Sequence, residues 1–438
     1  MSSAPLAVPA SPSSSKRSRS RDSARSSSAA ASSINTPAAS TPFFTPAGSA
    51  PSLVIPHNPD APSAVDASPE DPTPYPAFLR LSRPGRHPQQ HADSEQPSQW
   101  TKCAGEDVMS RNRYANVDPY QSNRVRLKVP DGHNDYINAS PIVLHSTKSK
   151  TALRYIATQG PKFDSYHHLW RMVWHETSSP AVIVMLTQTH EAGREKCYPY
   201  FPRSPSQPDL RVNAHDEFAD GFIHTLKLTS LEDHEEARAQ VRELDMTSDD
   251  GSETKKVWHL LFGGWPDFLV PEGEDRIALL RLIDMSREKN VDNSANPRIV
   301  HCSAGVGRSG TFIALDWLLQ ELDEGSLDNL GPEEDPVSAV VDELRKQRMM
   351  MVQGEAQLAF IYDVVRERWR ERWIKLNPED AERLGVTRNG QEEPSLKRRK
   401  SEKSEVSMSE QEEGDEDERA QLEAELMDAE FDFEKGKT

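Results

Sequence analysis

Cys302 stands in the stretch IVHCSAGVGRSGTF, Ile299–Phe312, after His301 and five residues ahead of the dipeptide Gly307-Arg308. PRIVHC, leading into it, has the continuous apolar character of a buried strand, and SGTFIALDWLLQEL after it has the pattern of a helix. A strand, a glycine-bearing loop and a helix N-terminus make an anion site, because unpaired backbone N–H groups and the positive end of the helix dipole converge there. Arg308 adds a planar guanidinium that grips two phosphate oxygens at once. A thiol at the floor of such an electropositive cradle is driven toward the thiolate, the reactive form. The chemistry implied is attack by Cys302 on the phosphorus of a bound phosphate ester, with Ser303, Ala304, Gly305, Val306 and Gly307 lining the cradle. A lone cysteine is more commonly a small buried hydrophobe. Here strand, loop, arginine and helix start coincide too fully for that reading.

The elements that must position this loop lie within residues 74–375, where strand and helix signals alternate. RYIATQ, PAVIVMLT, KVWHLLF and PRIVHC read as strands. YHHLWRMVWHE, RIALLRLIDMSREK, SGTFIALDWLLQELD, DPVSAVVDELRKQRM and AQLAFIYDVVRERW read as helices, with Val337, Val340, Val341 and Leu344 forming an i, i+3, i+4, i+7 stripe. The expected fold class is α/β (α+β): a mixed sheet flanked by helices, without internal repeats. Residues 1–73, rich in Ser, Pro and Ala, and the acidic residues 376–438 are expected to be disordered, since neither buries enough apolar surface to offset its ordering entropy.

Composition narrows the class further. The net charge of -18 is concentrated at one end, because Ser401 to Thr438 carry 15 acidic and 4 basic residues. No basic groove stands out in the central region, so nucleic acid is not an expected partner. No run approaches the length of a membrane span, and the first residues lack a signal peptide's apolar core. With 3 scattered cysteines the chain reads as intracellular and reduced.

VHCSAGVGRSGTF resembles the signature loop of the non-receptor protein tyrosine phosphatases, the phosphotyrosine-specific, cysteine-dependent family. RNRYANVDPYQSNRVRLK, NDYINAS, YIATQGP, REKCYPYFPR and GGWPDF extend the resemblance, in chain order, over most of residues 105–370. Their character is that of the small cytosolic tyrosine phosphatases of fungi. The resemblance implies a twisted mixed sheet and hydrolysis through a cysteinyl phosphate, with neither metal nor cofactor. A phenol's pKa is about 10, so its departure needs a general acid; the resemblance gives that role to Asp267, on a lid with Trp265 and Phe268 hinged at Gly263 and Gly264. Gln357, beside Gln353, would orient the hydrolytic water. Ser309 would hydrogen-bond the sulfur, and His301 would fix the loop and help hold down the sulfur's pKa. Tyr114 would wall a pocket deep enough for phosphotyrosine. Asn116 stands where the family carries an aspartate that grips the substrate backbone, which implies a looser hold. Glu191 would brace Arg308, and Lys196 would meet the lid aspartate.

The resemblance also implies phosphotyrosine proteins as partners, MAP kinases among them because fungal relatives act on stress and mating kinases. A monomer is expected, in the cytoplasm, with a nuclear share if the basic run Lys397–Lys400 serves as an import patch. Followed by Val406 and Met408, the same run also resembles a kinase docking peptide. Two other readings keep the loop but change the function. A shallow dual-specificity site is opposed by Tyr114 and the Trp-Pro-Asp segment. A dead phosphotyrosine-binding scaffold is opposed by the joint presence of Cys302, Arg308 and Asp267.

Overall fold

The computed structural model describes residues 99–266, 269–331 and 333–386. Its strands are β1 (Ala139–His145), β2 (Ala152–Thr158), β3 (Ala181–Met185), β4 (His190–Glu191), β5 (Arg194–Glu195), β6 (Asp209–Val212), β7 (His224–His234), β8 (Ala239–Ser248), β9 (Thr254–Phe262) and β10 (Arg298–His301). The helices are α1 (Glu106–Met109), α2 (Tyr166–Glu176), α3 (Gly273–Glu288), α4 (Gly307–Asp323), α5 (Pro336–Gln347), α6 (Glu355–Leu376) and α7 (Pro378–Arg383). Eight strands form one mixed sheet in the order β1-β2-β10-β3-β9-β8-β7-β6, and β4 pairs with β5 as a separate hairpin.

The four strands read from the sequence, β2, β10, β3 and β9, are the parallel centre of this sheet. Their runs of adjacent apolar residues follow from burial on both faces. In β3, Val182 and Val184 join a core with residues of α3, α4, α5 and α6, while Ala181, Ile183 and Met185 join Leu169, Trp170 and Val173 of α2 on the opposite face. The antiparallel strands β7 and β8 carry no such signature. In β7 buried residues alternate irregularly with exposed ones, and in β8 they alternate with half-buried ones, many of them charged, so their sequences look like solvated surface.

Helix starts follow local chemistry. Asp335 caps α5 by accepting the N–H groups of Val337 and Ser338 at 3.1 Å each, with Pro336 in the first turn. The stripe Val337, Val340, Val341 and Leu344 is buried. Past the boundary expected at 376 the chain continues into α7, where Ala381 is buried, and Val386 beyond that helix is buried as well. A charged network fastens the strand before Cys302 to the helices around it. Arg298 of β10 and Asp316 of α4, both fully buried, are ion-paired; Arg287 of α3 bonds the same carboxylate, and Arg298 donates to Ser286 at 2.7 Å. The segment 1–73, the run Lys397–Lys400, Asp267 and Phe268 lie outside the described residues.

Candidate active site

β10 delivers Cys302 to the C-terminal edge of the sheet, and α4 begins at Gly307. Between them the chain makes a tight loop that only particular residues allow. Gly305 has φ +74°, and a Cβ there would lie 2.2 Å from the Thr158 carbonyl oxygen, so the loop can sit on β2 only with glycine. The same close approach turns the Gly305 N–H onto the Cys302 sulfur at 3.2 Å. At Gly307 a Cβ would meet both terminal atoms of Gln357 at 3.0 Å.

Beneath the loop lies Arg348, fully buried at the end of α5. It donates to the carbonyls of Gly305 (2.9 Å) and Ala304 (3.1 Å), to Asn138 Oδ1 (2.8 Å) and to Ser140 Oγ (3.2 Å). Burial lowers its pKa to about 10, which leaves it charged at neutral pH. By pulling two carbonyls downward it helps to turn the loop's N–H groups toward the cradle. Nothing in LRKQRMMM distinguishes this arginine from the solvated basic end of an amphipathic helix.

Arg308 is clamped on its far side. Its two terminal nitrogens donate to the two oxygens of Glu191 at 2.7 and 2.9 Å, and they also reach the carbonyls of Leu186 and Pro266. Burial pushes the Glu191 carboxyl up, but Arg308 overrides this and holds it below the usual range. Glu191 is aimed by the β4–β5 hairpin, whose turn residues Ala192 and Gly193 both have positive φ, as a tight two-residue turn requires.

His301 contributes differently from the sequence expectation. Burial pushes its pKa down to about 4, so it is neutral at physiological pH and adds no positive charge beside the sulfur. Its Nδ1–H donates to the Cys302 carbonyl (3.1 Å), its Nε2 accepts from Tyr200 Oη (2.7 Å), and His259 donates to the same hydroxyl (3.0 Å). The histidine therefore holds backbone. The unfolded chain takes up a proton near pH 6.5, whereas folded His301 does so only near 4. Its contribution is thus complete above pH 6.5 and declines as the pH falls toward 4, by roughly 3 kcal/mol in all. Other buried and half-buried histidines are lowered in the same way, so urea titrations from pH 7 to 5 should show the parent losing stability with falling pH more steeply than a His301→Gln variant. Equal slopes in the two would contradict the buried neutral assignment.

Ser309 also differs. Its hydroxyl is fully buried without a hydrogen-bond partner, and the expected bond to the sulfur is not made. Tyr114 is buried, and its hydroxyl hydrogen-bonds Ser303 Oγ at 2.8 Å, which in turn donates to the Lys196 carbonyl at 2.9 Å. Its neighbour Asn112 accepts from Tyr136 Oη and Asn138 Nδ2, so Asn138 connects the Tyr114 segment with Arg348. Asn116 is exposed. Gln357 Oε1 accepts the Gln353 N–H at 3.0 Å, which settles its carboxamide over Gly307. Trp265 is buried, and its Nε1–H donates to the Leu269 carbonyl at 3.0 Å. The expected contact between Lys196 and Asp267 falls outside the described residues.

These residues form an anion cradle with a thiol at its floor and a braced guanidinium at its lip, on a mixed α/β sheet: the class is a phosphate-ester-binding enzyme fold. Residues 108–367 match the family model described as protein-tyrosine phosphatase, and the chain belongs to that family. It is 36% identical over 279 residues to Tyrosine-protein phosphatase 2 of Schizosaccharomyces pombe, covering 63% of this chain and 36% of that protein. It is 38% identical over 274 residues to Tyrosine-protein phosphatase 1 of Saccharomyces cerevisiae (58% and 80% covered) and 38% identical over 265 residues to Tyrosine-protein phosphatase 3 of S. pombe (59% and 80% covered).

Proposed function

We propose that this domain hydrolyses phosphotyrosine in protein substrates through a cysteinyl-phosphate intermediate. The loop N–H groups and Arg308 hold the phosphate, and the Cys302 sulfur attacks phosphorus. An S–P bond forms as the P–O bond to the tyrosine breaks, and Asp267 gives its proton to the departing phenolate oxygen. In the second step Gln357 orients a water. That water attacks phosphorus and loses its proton to Asp267, and the S–P bond breaks to release phosphate and the thiolate. The observation that supports this most is the Gly305 N–H on the Cys302 sulfur, in a loop whose Arg308 is held at both nitrogens by Glu191. Catalysis of this kind rests on donors fixed in advance.

Tyr114, set beside Ser303, is the wall that selects the long phosphotyrosine side chain over phosphoserine. MAP kinases are the substrate class we carry over from the sequence, and signalling is the setting. The three cysteines are free thiols, in keeping with a cytoplasmic protein; among the described residues no helix is long and apolar enough to cross a membrane. The test is hydrolysis of matched phosphotyrosine and phosphothreonine peptides by the full chain and its Cys302→Ser variant. Activity on phosphotyrosine alone, lost in the variant, is expected. Equal activity on both peptides, or undiminished activity in the variant, would sink the proposal.

Ser309→Ala separates two roles for the buried hydroxyl. Removing an unsatisfied polar group should leave stability unchanged or raise it by up to about 1 kcal/mol. If the hydroxyl turns to the sulfur in the second step, the variant should still show a burst of tyrosine release, followed by turnover slowed on the order of 10-fold or more. Burst and turnover both at the parent level would remove Ser309 from the mechanism.

A further inference from the structure

On the face of the sheet opposite α4, the first turn of α2 meets the loop between β6 and β7. His167 and His168 are buried, and both Nε2 atoms bond one oxygen of Glu217, that of His168 at 2.7 Å. Among the described residues this is the one group of three histidine, cysteine or acidic side chains whose ligand atoms converge, all within 4.8 Å of one another. The geometry points to a divalent transition-metal site of the zinc class, built by His167, His168 and Glu217.

Three features support a metal over a simple hydrogen-bonded clasp. First, the clasp already exists: Arg171 of α2 holds Asp220 of the same loop through two bonds of 2.6 and 2.8 Å. Second, Glu217 rides on a preformed loop. Asn213 Oδ1 accepts the Glu217 N–H (3.1 Å), Asn213 Nδ2 donates to the Phe222 carbonyl (2.7 Å), and Asp216 accepts the Asp220 and Gly221 N–H groups. A carboxylate fixed this way needs little further ordering to bind an ion. Third, a further donor is at hand on that loop, since the exposed His215 ring lies 5.6 Å from that of His167.

The donors also select the metal. The Arg111 guanidinium sits 3.4 Å from the other Glu217 oxygen, and the positive end of α2 faces the cluster. Both oppose every divalent cation alike, so the donor set decides: two imidazoles suit a borderline ion, and one carboxylate offers too few oxygens for Ca²⁺ or Mg²⁺. Binding requires each imidazole to carry its proton on Nδ1 and turn its Nε2 lone pair to the ion. Opening the cluster to metal–ligand distances of about 2.0–2.2 Å asks only that the three side chains spread.

The test uses the full chain carrying Cys302→Ser, which removes the proposed active-site thiol as a competing ligand. After dialysis against EDTA, one equivalent of Zn²⁺ should bind with micromolar or tighter affinity and raise the thermal midpoint by several degrees. Glu217→Gln and His167→Asn should weaken binding on the order of 10-fold or more and abolish the shift. Equal zinc response in parent and variants, or none in the parent, would overturn the assignment. Should the variants fail to fold, Co²⁺ added to the parent decides. An intense tetrahedral visible band without thiolate charge transfer supports the site. A weak octahedral spectrum, or a thiolate band placing the ion on Cys103 or Cys197, refutes it.

Discussion

Arg348→Ala should unfold about 3 kcal/mol more easily than the parent and turn over a phosphotyrosine peptide on the order of 100-fold more slowly. The stability loss arises because four buried acceptors, on Gly305, Ala304, Asn138 and Ser140, lose their donor together. The rate loss has a separate cause: without Arg348 the two loop carbonyls are free to rotate, and their amides no longer converge on one phosphate. Arg348→Lys keeps the charge but cannot span four acceptors, so it should fall between alanine and the parent in both measures. Urea unfolding and kcat, measured on the same three proteins, separate the effects. A stability loss with kcat unchanged would make Arg348 a structural residue alone.

Asp316→Ala should cost still more stability, about 3–5 kcal/mol, because it strands the fully buried Arg298 and the partly buried Arg287 without their carboxylate. Burial by itself would push the Asp316 carboxyl up, but Arg298 and Arg287 hold it below the ordinary value. Its contribution is therefore present above the unfolded carboxyl's pKa, near 3.9, and is lost as the pH falls through the folded value. The double variant Asp316→Leu with Arg298→Met removes the carboxylate together with its fully buried partner, leaves only the partly exposed Arg287 unpaired, and should be milder than Asp316→Ala. Chemical denaturation at pH 7 checks this; equal losses in the single and double variants would contradict the buried-charge account.

The cysteine loop was legible because its chemistry is local: strand, glycine, arginine and helix start follow one another within Ile299–Phe312. The parallel strands were legible because burial on both faces gives each of them a run of adjacent apolar residues, such as AVIVM in β3 and IV in β10. β7 and β8 were not, since half-exposed strands such as HTLKLTSLEDH carry charges at outward positions and read as surface. Arg348, Asn138 and Tyr200 escaped for a different reason. Each acts through partners far away in sequence, as Arg348 does with Asn138 across 210 positions. A residue type says nothing about such a partner until the sheet brings the two together. His301 was visible as a site residue, but its neutral state follows from its burial at the end of β10 against Tyr200, which spacing cannot reveal.

The cradle's distant origins also govern when reactivity first arises during synthesis. Thr158, against which Gly305 is seated, leaves the ribosome early, whereas Arg348 and Gln357 follow Cys302 by 46 and 55 positions. A nascent chain that has just exposed its cysteine has neither the underlying guanidinium nor the glutamine over Gly307, and its parallel strands await partners that close only over long loops. The thiol is therefore made before its cradle is built. The proposed hydrolytic competence arrives late, with the helices that also complete the hydrophobic core, and a chain cut before Arg348 is expected to be inert toward a phosphotyrosine peptide.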